Sequence, residues 1–407
     1  MTWSTRPYGV QYGAKDTAPQ ADAESNSRQT LSRRIGIFYH CRHPKTYCGA
    51  GRGGAMRAAV YQGIQRFEVR EWPAPACGDD EVLVKVRFCA ICGTDVRIYF
   101  HGHAKVSPPA IIGHEITGTV AEIGRNVRLS GIAVGDAVTT VTSTGCGSCR
   151  MCQQGLYNLC PDTKAIGYYF PGGFAEYLAI PAIAVRQNAL VKLPGGISLR
   201  DGTLIEPLSC VINGQQYLAI GTGDTVVIFG GGPIGLMHAR LAQVRGASAV
   251  VVIDPDFERL QRFGRRFDGL LLWNPASVNA VEEIRRMTGG FGANVVITAC
   301  PVKQAQIDGL AMLGSRGRIS FFGGLPKDDS IVPLDTNLIH YKELGVFGAF
   351  ASNRRDFEEA ARLIAEGGFG ADKFITSVVP LERISEGIEL VRRGEALKCV
   401  VEVAGPS

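Results

Sequence analysis

The feature that does most to limit the fold is a glycine turn. Gly230-Gly231-Gly232-Pro233-Ile234-Gly235 follows an apolar run, Thr225–Phe229, that reads as a strand, and it opens a helical pattern over Ile234–Val244. In that context the glycines have separate tasks: Gly230 allows the tight turn, Gly232 lets a pyrophosphate approach the backbone, and Gly235 permits close packing of helix on strand. Pro233 and Ile234 open the helix, where unpaired N–H groups and the helix dipole favour an anion. Asp254 ends the next apolar run, 19 residues past Gly235, placed for the adenosine ribose hydroxyls of a dinucleotide. An acid there repels a 2′-phosphate, so NAD is preferred over NADP; Arg259 works against that preference.

The same rhythm continues downstream. Ala249–Ile253, Asn294–Thr298 and Arg318–Phe322 are short apolar strands with helical stretches such as Val281–Met287 between them. Alternating β and α units imply a parallel, doubly wound sheet over residues 213–349. Residues 56–212 read differently: Met56–Tyr61 and Glu81–Arg87 alternate apolar and polar residues as half-buried strands do, and Gly and Pro punctuation continues to about residue 200. A helix at Asp356–Glu366 and a strand at Phe374–Val379 are expected to return residues 350–407 to this mostly β domain.

Residues 1–55 lack both periods. They read as a disordered extension or an upstream translation of a start at Met56. Eight of the 43 basic and three of the 38 acidic residues lie there, so the whole net charge of +5 resides in this segment. The remaining chain is formally neutral, without the one-signed surface a nucleic-acid binder needs. No apolar run approaches the roughly 18 residues of a membrane helix.

The twelve cysteines do not suggest a secreted disulfide protein, because no signal-peptide core precedes them; reduced thiols and a cytoplasmic location are expected. Cys146-x2-Cys149-x2-Cys152-x7-Cys160 is the most specific pattern: four thiolates on a short loop can close around one tetrahedral Zn²⁺, a structural site. Cys41, His43 and Cys48 have looser spacing that reads as chance.

A second cluster comprises Cys92-Gly93-Thr94-Asp95, His114-Glu115 and Glu206-Pro207. Thiolate, imidazole and carboxylate make a zinc site with room for water or substrate. Four protein ligands would close it, so one carboxylate must leave or hold a water. Adjacent strand residues point to opposite faces, so His114 and Glu115 can share a metal only in bent backbone. Cys92 and His114 read as ligands, with Glu115 and Glu206 sharing the remaining positions in an open order. His101 and His103 read as a solvated loop.

From Met56 to its end the chain resembles the zinc-dependent medium-chain alcohol dehydrogenases, and within them the sorbitol (polyol) and threonine dehydrogenase branch. The matching pieces are Cys92-Gly-Thr-Asp95, Gly113-His-Glu115, the four-cysteine loop, Gly172-Gly-Phe-Ala-Glu-Tyr177, Ile205-Glu-Pro-Leu208 and Gly230–Gly235. The resemblance implies an α/β protein with a GroES-like catalytic domain split around a Rossmann domain, assembled as a homo-oligomer, dimer or tetramer. It implies two Zn²⁺ per chain, the catalytic one on Cys92, His114 and a glutamate. It also implies hydride transfer from the secondary alcohol of a small molecule, a sugar alcohol, cyclitol or related polyol, to NAD, with Thr94 starting a proton relay. Asp95 and Glu176 read as structural. Two departures stand out. Arg97 occupies the place of a histidine usual in threonine dehydrogenases, which argues against threonine and admits an anionic substrate group. Ala299-Cys300-Pro301 replaces the usual Thr-Gly ending. The alternatives are a threonine, amino-alcohol or sugar-phosphate dehydrogenase of the same family, and a non-catalytic NAD-binding redox sensor, which retention of Cys92 and His114 opposes.

Overall fold

Two sheets organise the computed structural model, which describes residues 54–405. The readings of residues 1–53, including the Cys41, His43 and Cys48 spacing, lie outside the described residues. The first sheet has seven strands, in the order Ile375–Pro380, Lys398–Glu402, Val82–Ala90, Glu115–Ile123, Ala137–Thr140, Leu190–Lys192, with Tyr177–Ile180 also pairing onto Val82–Ala90. Its pairings are antiparallel except that of Ile375–Pro380 with Lys398–Glu402. The last strand of the chain therefore lies against Val82–Ala90, and this brings Lys398 to the strand that precedes Cys92.

The second sheet has six strands, all parallel, in the order Leu270–Trp273, Ala249–Ile253, Thr225–Phe229, Ala293–Thr298, Leu313–Phe321, Gly345–Gly348. Its central strands are nearly unbroken apolar runs because helices cover both faces. The switch in strand order falls between Thr225–Phe229 and Ala293–Thr298, beside the glycine turn, where ligands of doubly wound sheets sit. This is a GroES-like and Rossmann α/β architecture.

Two elements depart from the sequence periods. The strand expected at Arg318–Phe322 begins five residues earlier, at Leu313. It pairs at Leu313, shifts register, and pairs again from Arg318, because Arg316 takes a positive φ of 59° between Gly314 and Gly317. The helix Ile205–Gln215 gave no amphipathic signal, since ten of its eleven residues are buried. It packs against both Pro233–Val244 and Arg354–Ala365, and so anchors Glu206 between the two sheets. Among the described residues no helix is long and apolar enough to cross a membrane.

Candidate active site

The four-cysteine loop has the donor geometry of a closed metal site. Its sulfurs all lie within 4.8 Å of one another, with no disulfide. The Sγ separations are 3.5 Å for Cys149–Cys152, 3.8 Å for Cys149–Cys160 and 4.0 Å for Cys146–Cys152. A tetrahedron with Zn–S bonds of about 2.3 Å has edges of about 3.8 Å, so Zn²⁺ fits. N–H groups also prepare the sulfurs for negative charge. Cys146 donates its N–H to Cys160 Sγ over 3.3 Å, while donors from Ser148 and Cys149 pull the Cys146 thiol down to about 6.

The second cluster is built on a capped helix and a bent strand entry. Cys92 caps the helix Gly93–His101, and the buried Asp95 carboxylate accepts the Cys92 N–H over 2.9 Å. Its other oxygen lies 3.7 Å from His114 Nδ1. Gly113, at φ +95°, supplies the bend before His114; a Cβ there would meet Cys89 Sγ at 2.8 Å and the Phe174 ring at 2.9 Å. Cys92, His114 and Glu115 then bring donor atoms within 4.8 Å of one another. Among the described residues, three buried polar atoms around this point have no hydrogen-bond partner: Asp95 Oδ1, His114 Nδ1 and Glu115 Oε1. Burial alone would push His114 down, yet the charges of Asp95, Cys92 and Glu206 outweigh it and hold the imidazole well above its ordinary value. The surroundings therefore favour a cation, and a thiolate, imidazole and carboxylate set suits zinc.

Glu206 stands outside this close group, in the first turn of Ile205–Gln215. Burial raises its carboxyl to about 7, and Cys210 Sγ lies 3.8 Å from Oε1. Glu115 Oε2 is held instead by Lys398 Nζ, a buried ammonium that also donates to the Ile91 carbonyl over 3.1 Å. Sequence reasoning missed Lys398. It also missed Tyr168, whose ring centroid lies 5.3 Å from that of His114. Gly167, at φ +82°, pins this turn where a Cβ would lie 2.7 Å from the Gly113 carbonyl oxygen. His103, read from the sequence as part of a solvated loop, is half-buried with its ring 5.5 Å from Tyr168. The reason is that residues 102–106 fold back through the His103–Val106 bridge.

The glycine turn is tight. Gly230 has φ +108°, and a Cβ on Gly235 would sit 1.8 Å from the Gly230 carbonyl oxygen. At Gly232, the helix N-cap, the Cβ direction is open space. Pro233 is the first helical residue, followed by the half-buried Ile234. Asp254 accepts the Gly231 N–H over 2.6 Å and the Arg259 guanidinium over 2.9 Å. Arg259 also lies 3.6 Å from Asp256. Cys300 packs half-buried beside Gly230, and burial raises its thiol to about 11. Gly235→Ala should displace the turn, lower stability by about 1–3 kcal/mol and weaken NADH binding by an order of magnitude or more. Thermal denaturation together with a fluorescence titration checks both; unchanged NADH affinity would remove Gly235 from the cofactor site.

These features have counterparts. Residues 78–194 match the alcohol dehydrogenase GroES-like domain and residues 233–366 match the zinc-binding dehydrogenase domain. The sorbitol dehydrogenase of Halalkalibacterium halodurans is 31% identical over 350 residues, covering 85% of this chain and 99% of its own. The 2-dehydro-3-deoxy-L-galactonate 5-dehydrogenase of Pseudoalteromonas atlantica is 35% identical over 350 residues, covering 85% and 98%. The alcohol dehydrogenase of Thermus sp. ATN1 superposes with a TM-score of 0.79 at 30% identity, covering 86% and 100%. With both domain matches in series, full-length relatives and a fitting donor set, the chain belongs to the zinc-dependent medium-chain alcohol dehydrogenase family and is an NAD(P)-linked oxidoreductase.

Proposed function

We propose that this enzyme oxidises the secondary alcohol of a sugar alcohol, cyclitol or related polyol, passing hydride to NAD. The observation that carries the reading is the convergence of Cys92, His114 and Glu115 beside three buried polar atoms that lack a hydrogen bond among the described residues. Cys92 and His114 would hold the catalytic zinc, with Glu115 or Glu206 completing the set, and Cys146, Cys149, Cys152 and Cys160 would hold the structural one. When bound, zinc supplies Lewis acidity that eases deprotonation of an alcohol and polarises a carbonyl in the reverse direction. Asp95 orients the site by fixing Cys92 through its backbone and standing beside His114. Lys398 holds Glu115 Oε2 in a buried ion pair. Thr94, on the first turn of the helix that Cys92 caps, has a hydroxyl lone pair to offer the substrate hydroxyl and begins the path by which its proton leaves. Arg97 cannot continue that path, because a guanidinium does not deprotonate in proteins.

Gly230, Gly232, Pro233, Ile234 and Gly235 would hold the pyrophosphate, and Asp254 the adenosine ribose. The preference for NAD rests on the pairing of Arg259 with Asp254 and Asp256, which spends its charge on carboxylates rather than on a 2′-phosphate. Asp254→Ala should lose about 1.5–3 kcal/mol of a charge-assisted bond, lowering kcat/KM for NAD ten- to a hundredfold while NADP gains. An unchanged NAD to NADP ratio would count against Asp254. We also propose a homo-oligomer, dimer or tetramer, in the cytoplasm.

The test is NADH formation across polyols, cyclitols, sugar acids, sugar phosphates and threonine, with zinc quantified in the same sample. About two zincs per chain and polyol-dependent NADH support the reading. Turnover of threonine alone would replace it with the amino-alcohol alternative. One zinc with no turnover would revive the non-catalytic redox sensor.

A further inference from the structure

Among the described residues, the Glu206 carboxylate has one hydrogen-bond donor, the Cys210 thiol 3.8 Å from Oε1, and a thiol is a weak donor. Glu115, by contrast, is held by a buried ammonium. The firmer hold on Glu206 comes through the helix that carries it. Ile205–Gln215 has no side-chain cap at its start. Its first turn is tied from within by Ser209, whose hydroxyl donates to the Glu206 carbonyl over 2.6 Å. The helix also packs on the strand that Glu115 opens, which keeps this turn at the zinc-ligand cluster.

Both Ser209 and Cys210 meet one residue from far along the chain. Ser352 Oγ lies 2.7 Å from Ser209 Oγ and 3.7 Å from Cys210 Sγ. Counting protons orders these bonds. Ser209 has one hydroxyl proton and gives it to the Glu206 carbonyl, so Ser352 is the donor to Ser209. The lone pairs of Ser352 are then left for the thiol, whose single proton has two acceptors in reach, Ser352 and Glu206. Ser352 thus touches both groups that touch Glu206: Ser209 at its backbone and Cys210 at its carboxylate.

Ser352 is buried, and the chain on either side of it is pinned. Before it, Ala351 takes a positive φ of 50°, a conformation that residues with a Cβ rarely adopt. Asn213, on the same helix as Glu206, donates to the Ala351 carbonyl over 2.7 Å and holds it there. Asn158, on the four-cysteine loop, donates to the Phe350 carbonyl over 2.8 Å. After it, Asn353 caps the helix Arg354–Ala365 and donates its N–H to Asp356 over 2.9 Å. Surroundings that hold a backbone in a sparsely populated conformation fix the side chains beside it, and such positions cluster at functional sites. We infer that Ser352 is a positioning residue of the catalytic centre: through Ser209 and Cys210 it sets the place of the Glu206 carboxylate at the zinc-ligand cluster. This rests on the dehydrogenase reading and adds to it a residue from the segment by which the chain leaves the parallel sheet.

The experiment compares Ser352→Ala, Ser352→Thr, Cys210→Ala, Glu206→Gln and the double variant Ser352→Ala/Glu206→Gln as full-length, zinc-loaded enzymes. It measures kcat on the best alcohol of the panel, NADH affinity, thermal midpoint, and the rate at which dipicolinate strips each zinc. Losing a group that orients a metal ligand costs about ten- to a hundredfold in metal affinity or activity. Ser352→Ala should therefore lower kcat about tenfold and speed release of one zinc about tenfold. NADH affinity, and release of the zinc assigned to the four cysteines, should stay at the wild-type values. Ser352→Thr keeps the hydroxyl and should restore kcat and zinc release to within about threefold of wild type. In the Glu206→Gln background Ser352→Ala should add nothing further, because it acts through that carboxylate. Equal losses in the two backgrounds, or a fall in NADH affinity and thermal midpoint in step with kcat, overturn the inference. If Ser352→Ala does not fold, Cys210→Ala decides: faster release of that zinc with NADH affinity kept supports the inference, and wild-type release overturns it. A wild type that holds two zincs yet oxidises no alcohol overturns the dehydrogenase reading, while zinc release that still depends on Ser352 upholds the inference. A wild type that holds one zinc overturns both.

Discussion

Replacing His114 with Ala, or Cys92 with Ser, should reduce kcat by about a thousandfold or more while NADH still binds within a fewfold of wild type. The size follows from what the cluster is for. A Lewis acid at the reacting oxygen stabilises the transition state by several kcal/mol, and each 1.36 kcal/mol is a factor of ten. The selectivity follows from the fold. Cys92 and His114 sit at the end of one antiparallel strand and the start of its neighbour, whereas Gly230–Gly235 and Asp254 belong to the parallel sheet. Stopped-flow turnover, NADH fluorescence and zinc content on the same preparations give the answer. A variant lacking catalytic zinc that keeps even a tenth of wild-type kcat would move the chemistry elsewhere. Loss of NADH binding in a folded variant would mean the two sites are not separate.

That separation was visible in the chain itself, and the contrast with what was hidden is instructive. Gly230 to Gly235 could be read directly because each glycine answers a local demand, and the fold has φ +108° at Gly230 and a 1.8 Å Cβ approach at Gly235. The cysteine loop was equally legible, since four thiols within fifteen residues have few other uses. The bend that lets His114 and Glu115 face one point was inferred as a requirement, and Gly113 meets it. Lys398 was invisible because it reaches Glu115 across 283 residues, through the last strand of the sheet. Tyr168 was invisible for a related reason, since its position depends on Gly167 packing against Gly113, a tertiary contact that leaves no period in the sequence. His103 was named but read as solvated, because the His103–Val106 bridge that folds its loop back leaves no period either. Glu206 was seen as a residue but its helix was not, because burial on all sides erases the stripe that marks a helix.

Replacing Cys160 with Ser should cost the chain one of its two zincs and, with it, the order of a loop on which the active site leans. The loop from Ser143 to Ala165 has only short secondary structure, two two-residue strands and two single turns, so it has little hydrogen-bonded framework of its own. Structural zinc in comparable small units contributes on the order of 10 kcal/mol of binding free energy at neutral pH, far more than those turns supply. Loss of the metal should therefore release the loop as a unit. Two contacts carry the effect outward. Asn158 donates to the Phe350 carbonyl over 2.8 Å, tying the loop to the segment that precedes Arg354–Ala365. The chain then runs directly from Ala165 into Tyr168, which packs on His114. Limited proteolysis should open the variant between residues 145 and 165 first, with a fall in thermal midpoint of several degrees. KM for the alcohol should rise at least tenfold while the second zinc remains. A variant with one zinc but wild-type KM and protease resistance would show that the loop holds its shape without the metal, and that Tyr168 is positioned by Gly167 and Gly113 alone.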